Sequence, residues 1–372
     1  MQPVTVSHAN LSSHKSLTAR ARELFPGVEL AVLLAILASL AANWLSGLTT
    51  DIGPIPVSPI IIAILLGITI RNTLGFDDAF QAGLRFSQCK ILQAGVILLG
   101  VRLSLSDIAV IGFSSIPLIV ACIATALLAI SFLGRRAGLS PQLATLIAAG
   151  TSICGATAIV TTAPIISARN HEVSYAIACI TLFGIAATLL YPLGANWLFD
   201  GDPQRIGLFL GTAVHDTAQV VGAGMIYQNL FGTEQVLDTA TITKLLRNLS
   251  MLIVIPVLSI TFQRRHHTGG ERPHWSKLVP LFIVGFAVMS MIRTAGDLSA
   301  TPFGILSMEQ WHAMIAVSKQ MAEACLLIAM AAVGLNTSFA GLRSVGFKPL
   351  AVGLAAAALV GLVSSTLISI FY

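Results

Sequence analysis

Several ionisable side chains lie inside apolar stretches of this 372-residue chain, among them His215 and Asp216, Lys244 and Arg247, and Lys319 and Glu323. Such a group costs at least ~2.5 kcal/mol at the centre of a bilayer unless it is paired, so each is a candidate for function. Histidine titrates near neutral pH, and His215 beside Asp216 suits proton handling or substrate contact. The plainer role for the two is a hydrogen-bonded pair that joins helices. Gln219 follows His215 by four residues and shares its helix face; Thr212 and Asp216 share another. Lys244, Arg247 and Asn248 also fall on one face. They fit an anion site, a counter-charge to Asp216, structural pairing, or snorkelling toward an interface. Lys319 and Glu323, four apart, form either an intrahelical ion pair or part of a coupling site. Arg71, Arg102 and Arg293 stand at segment ends and are expected to snorkel or meet headgroups.

The elements that must position these residues are unusual. Gly150-Thr-Ser-Ile-Cys-Gly-Ala-Thr-Ala158 sits within the apolar segment 140–168, yet it carries two glycines and the polar side chains of Thr151, Ser152, Cys154 and Thr157. Gly150 and Gly155 weaken a helix and let other groups approach the backbone. Irregular backbone at membrane depth survives only where protein or a water-filled cavity satisfies it. The stretch therefore reads as a broken or re-entrant helix at a substrate site. Gly211–Gly224, which contains His215 and Asp216, resembles it: Gly150-Thr151 matches Gly211-Thr212, and Ile159-Val160 matches Val220-Val221. Half-helix N-termini meeting there would offer backbone N–H groups to an anion. The hydroxyls of Thr151, Ser152 and Thr157 would add neutral donors, and the same groups could frame a sodium ion. Cys154 near His215 has the types for a nucleophile and base, but an isolated thiol among small residues more often packs.

Composition sets the class. Apolar residues make up 55% of the chain and charged residues 10%, against roughly 25% charged in soluble domains. The mean hydropathy is +0.86. The net charge of +5 sits in short loops, as cytoplasmic membrane loops require, and nucleic acid is not expected as a partner. Cys89, Cys122, Cys154, Cys179 and Cys325 show no metal or disulfide spacing, so no metal and no bound cofactor is expected. No Gly-x-x-x-x-Gly-Lys-Ser/Thr phosphate loop is present, which argues against an ATP motor.

The expected fold is an all-α polytopic membrane protein of about nine to eleven transmembrane segments, with two discontinuous or re-entrant helices. Residues 1–25 read as a polar cytoplasmic lead and 26–372 as one transmembrane domain. Apolar segments fall near 28–47, 57–75, 89–103, 108–133, 140–168, 172–198, 205–228, 236–262, 276–295, 310–335 and 347–371, and 76–88 reads as an interfacial helix. With the N-terminus inside, the loops 76–90, 134–139, 263–277 and 340–349 carry the basic residues. The connections 48–56, 229–235 and 296–309 carry none, which is the positive-inside pattern of a bacterial inner-membrane protein. If both glycine-rich stretches are re-entrant, Arg169 is inside; if both cross, it is outside. Either choice leaves the C-terminus periplasmic.

Short likenesses also suggest a repeat. Ile70–Gly75 resembles Ile292–Gly296, and Gly100–Ile108 resembles Gly334–Leu342. Segments 57–133 would pair with 276–371, and 140–193 with 211–257. With both glycine-rich stretches re-entrant, an odd number of crossings separates the copies and inverts the second, a common transporter architecture.

The motifs Ser152-Ile-Cys-Gly-Ala-Thr-Ala158, His215-Asp-Thr-Ala-Gln-Val-Val221 and Thr243-Lys-Leu-Leu-Arg247 resemble the YeiH-type bacterial membrane proteins, a family named as sulfate exporters. The likeness runs from about 26 to 371. It implies kinship with cation/proton antiporters and bile-acid symporters, with inverted repeats and two discontinuous helices crossing at the centre. The expected activity is secondary active transport of a small anion, sulfate or an organosulfonate, coupled to H+ or Na+. A cation/proton exchanger is the alternative; a passive channel and an intramembrane enzyme rank below both. Substrate contacts are expected from Thr151, Ser152, Cys154, Gly155, Thr157, His215, Gln219, Lys244 and Arg247, and ion coupling from Asp216, His215 and Glu323. Expected partners are the anion, the lipid bilayer and a second copy in a homodimer.

Overall fold

The computed structural model describes residues 17–47, 49–50, 53–54, 57–75, 78–266, 280–299, 301–339 and 346–372. Among these the chain is almost entirely helical, apart from a two-residue pairing of Thr49–Thr50 with Gly53–Pro54. Seven helical stretches are long and apolar enough to cross a membrane: Arg22–Ser46, Ala79–Arg102, Leu105–Arg136, Asn170–Leu198, Gln235–Phe262, Met308–Asn336 and Phe347–Phe371. Each approaches or exceeds the ~20 residues that span a bilayer. The wider expectation of nine to eleven also counted Pro59–Thr73, Leu281–Asp297 and the two glycine-rich segments, which are shorter or broken.

Two boundaries differ from expectation. The first helix, α1 (Leu17–Ser46), takes in residues 17–25 of the expected lead; residues 1–16 lie outside the described part. Residues 78–86 do not form a separate interfacial helix. They are α3 (Asp78–Phe86), which runs through one wide π turn, Ser87–Ile91, into α4 (Leu92–Leu99). The amphipathic composition of 76–88 concealed this continuity. Much of the basic loop 263–277, and residues 340–345, also lie outside the described part.

The middle of the chain positions the site. Helix α5 (Leu105–Arg136) ends near α6 (Pro141–Ser152), which stops at Ile153–Gly155 before the short α7 (Ala156–Thr162). The chain doubles back here: a Cβ on Gly150 would stand 2.8 Å from Ile159. By Glu172, in the first turn of α8 (Asn170–Leu198), it has returned to the start of α6, where the Ser140 hydroxyl donates to Glu172 Oε1 at 2.5 Å. Gly150 also approaches Ile180, so α6 and α8 run parallel. The segment 140–168 is therefore a re-entrant hairpin.

The next stretch repeats the scheme. Helix α9 (Pro203–Ala213) breaks at Val214–Asp216, and α10 (Thr217–Phe231) returns. Gly207 packs on Thr239 and Gly211 on Thr243 of α11 (Gln235–Leu249), so α9 and α11 are parallel. Gly224 packs on Leu237 while Asn248 bonds Thr217, so α10 runs antiparallel to α11. The parallel partners sit 30 to 32 positions apart in the first hairpin and 32 apart in the second. Helix α8, 29 residues long, separates the two hairpin bases, so the hairpins enter from opposite ends of it. At 1.5 Å per residue α6 and α9 each descend about 16–18 Å, roughly half of a 30 Å hydrocarbon core. The hairpin tips thus meet near mid-depth.

Around this centre, α2 (Pro59–Thr73) packs on α14 (Met308–Asn336) through Gly67 and Gly334, where a Cβ on Gly67 would stand 2.8 Å from backbone. Small residues allow this close approach where no water drives helix association. Helices α12 (Met251–His266), α13 (Leu281–Asp297) and α15 (Phe347–Phe371) complete the bundle. The largest buried cluster joins α2, α4, α10, α11 and α14 through Ile64, Val96, Ile226, Leu245 and Met330.

Candidate substrate and ion site at the hairpin crossing

A helix ends with up to four carbonyls that have no partner and carry partial negative charge. At the ends of α6 and α9 these carbonyls point at two cations. Lys244 Nζ donates to Ile153 O (2.9 Å), Val214 O (3.2 Å) and His215 O. Arg247 Nε donates to Ser152 O at 2.7 Å, and its other nitrogens donate to Thr212 O (2.6 Å), Val214 O (3.4 Å) and Thr151 O. Both side chains are fully buried. One helix, α11, thus binds both hairpin tips from its Lys244/Arg247 face, and the planar guanidinium fork is suited to several carbonyls at once.

The opposite polarity meets Asp216. It precedes α10, and its Oδ1 accepts from Ala218 N at 3.0 Å. Gln219 Oε1 accepts from Asp216 N at 3.2 Å, closing a capping box. The N–H of Ala156, first in α7, also faces the Asp216 carboxylate. A single carboxylate therefore caps the positive ends of both returning half-helices. Gly155 makes room for it. Its φ is +65°, and a Cβ there would stand 2.9 Å from Asp216 Oδ2. Side chains avoid that backbone region and the space is taken, so glycine is required on both counts.

The other expected site residues scatter in role. Thr151 Oγ1, His215 Nδ1, Thr243 Oγ1 and Asn248 Oδ1 are buried without a hydrogen-bond partner among the described residues. Buried polar atoms are normally paired, and four unpaired ones around one crossing mark where a bound polar species would be satisfied. Ser152 turns its hydroxyl into its own helix, donating to Ala148 O at 2.5 Å. Thr157 is exposed on the far side of α7. The Cys154 thiol lies 3.3 Å from Met251 Sδ and, among the described residues, hydrogen-bonds no base. Gln219 spans to α8, donating to Thr181 O at 3.3 Å, in space left by Gly184.

Glu323 is not part of this crossing. Gln228 donates to it at 3.2 Å, and Gln228 lies twelve residues beyond Asp216, about 18 Å along α10. Lys319 and Glu323 do not form the expected pair: Lys319 meets Glu234 at 3.1 Å. Arg102 does not snorkel. Its side chain is 1% exposed and pairs with Asp238 (2.8 Å), Glu234 (3.0 Å) and, more loosely, Glu323 (3.9 Å). A segment-end position suggested headgroups, but the start of α11 brings two carboxylates to it. Asp238, an acid within the apolar segment 236–262, was the signal for this cluster. Asn248 was visible only as a neighbour of Arg247 on one face. Among the described residues no cluster of His, Cys, Asp and Glu could hold a metal ion.

Comparison with known sequences places the chain. A family profile described as Conserved hypothetical protein 698 matches residues 26–353. A UPF0324 membrane protein of Fusobacterium nucleatum is 33% identical over 326 residues, covering 87% of this chain and 92% of the relative. One from Streptococcus pyogenes serotype M18 is 36% identical over 324 residues, covering 87% and 91%. One from Streptococcus agalactiae serotype V is 32% identical over 334 residues, covering 90% and 93%. With its apolar spanning helices, this multi-pass membrane protein belongs to the Conserved hypothetical protein 698 family.

Proposed function

We propose that this protein is a secondary active transporter of a small anion, of the sulfate or organosulfonate class, coupled to protons through Asp216. The observation that carries this reading is the placement of one carboxylate on the N-termini of α7 and α10, at the meeting point of two oppositely entering hairpins. Those N-termini are where an external anion would be held. While Asp216 is ionised it occupies the donors itself and repels a second negative charge. Protonation removes the charge and frees the N–H groups, so anion and proton bind together. His215, Thr151, Thr243 and Asn248 supply the buried polar atoms around the anion. We read the pairs 140–198 and 203–262 as inverted copies whose broken helices move together as one core against the rest of the bundle.

Protons are favoured over sodium by the carbonyls. The oxygens at the ends of α6 and α9 that would frame a sodium ion already accept from Lys244 and Arg247. The positive-inside pattern supports a cytoplasmic N-terminus, and re-entry of the first hairpin would keep Arg169 on that side. A cation/proton exchanger is the second reading, favoured by the fact that the hairpin N-termini already hold a carboxylate.

Purified protein in proteoliposomes separates them. Uptake of labelled sulfate, thiosulfate or taurine that follows an imposed pH gradient and stops when the gradient is collapsed supports proton–anion coupling. Proton movement evoked by sodium or potassium, with no anion uptake, supports the exchanger and contradicts the first reading.

A further inference from the structure

A cavity lies away from the hairpin crossing, between α1, α2, α10 and α14, with a volume of about 480 Å³. That is the size of a small-molecule site. Its walls are hydrocarbon: Ile36, Leu40, Ile60, Met225 and Leu327. Its polar groups are Glu323, Asn229, Gln320 and Ser39, and Glu323 is the one charged residue among those lining it. The nearby cations are held more closely by other carboxylates, and Arg102 reaches Glu323 only at 3.9 Å. Arg102 is 1% exposed and is held by Asp238 and Glu234, and Lys319 is held by Glu234. Both contacts to Glu323, from Gln228 Nε2 and Arg102, reach Oε1. Its Oε2 has no partner among the described residues, and the side chain is 40% exposed.

A carboxylate oxygen left without a partner at an apolar cavity wall favours a partner of opposite charge. An anion would face only repulsion here. A small inorganic cation would need six or more oxygen ligands, which these walls do not supply. We infer that the cavity binds an organic monocation with an apolar body, its charge against Glu323 and its body against α1, α2 and α14. An amine-bearing lipid headgroup and a free lipophilic ammonium share this chemistry. The inference is independent of the role given to Asp216.

The test uses the full-length protein in phosphatidylglycerol nanodiscs, with labelled tetraphenylphosphonium as the probe. The expected result is saturable binding, weakened at least about tenfold in Glu323→Gln and unchanged in Asp216→Asn. Ser39→Trp, which fills the cavity without touching the Arg102 cluster, should also remove it. Triphenylphosphine oxide, of similar shape but uncharged, should not compete. Unsaturable binding, or equal binding by the parent, Glu323→Gln and Ser39→Trp proteins, overturns the inference. Adding phosphatidylethanolamine to the nanodiscs distinguishes the source: competition assigns the site to a lipid amine, and undiminished probe binding assigns it to a free organic cation.

Discussion

The carboxylate of Asp216 lies against Gly155, so close that a Cβ on that glycine would stand 2.9 Å from Oδ2. The two residues belong to different hairpins, and their contact joins the hairpin tips. It places the chain's own negative charge at the positive ends of α7 and α10.

Asp216→Asn should fold and reach the membrane, since an asparagine still caps a helix well. It should lose proton-coupled accumulation by about two orders of magnitude. Proteoliposome uptake under a pH gradient measures this. Wild-type accumulation in the variant would remove Asp216 from the coupling step.

Gly155→Leu tests the tip contact itself. The backbone strain alone should cost ~1–3 kcal/mol, and the side chain would displace Asp216. Thermal unfolding should shift down and transport should stop. A fully active, fully stable variant would mean that the tip can rearrange freely.

Arg247 satisfies carbonyls from both hairpins, so its removal should unfasten them. Arg247→Met leaves buried carbonyls unpaired and should destabilise by ~3–5 kcal/mol. Arg247→Lys should recover only part of this, because one ammonium cannot replace the planar fork. Comparing the melting temperatures of the three proteins checks the order: parent, lysine, methionine.

At the far end of α11 the Arg102 cluster makes a double-substitution prediction. Arg102→Ala strands Asp238 and should cost ~3 kcal/mol. Adding Asp238→Asn should restore part of the stability, because the stranded charge is gone. Strict additivity of the two losses would show that the residues do not interact.

Much of the candidate site's placement was legible in the sequence, for identifiable reasons. Gly150, Gly155 and the hydroxyl residues between them marked a broken helix, because such residues are poor choices for a lipid-facing span. His215-Asp216 and Lys244/Arg247 declared themselves as charges within apolar segments. What spacing could not show was direction. The fold-back of α7 along α6 depends on Ile159 meeting Gly150 and on Glu172 returning to Ser140. Both are tertiary contacts with no local signature. Nor could spacing show that Lys244 and Arg247 are spent on carbonyls rather than left for a ligand. Glu323 seemed a partner of Lys319 because both lie on one helix face. The structure instead turns Lys319 to Glu234, and Glu323 toward Gln228 and Arg102, each from another element.

The central claim is that Asp216 must take a proton when the anion binds. The direct measurement is proton uptake by purified protein in weakly buffered solution on addition of sulfate, thiosulfate or taurine near neutral pH. The account predicts close to one proton taken up per anion bound in the parent protein, and none in Asp216→Asn. Sulfate or thiosulfate binding without proton uptake, or no binding of any of the three solutes alongside proton release on adding sodium, would contradict it.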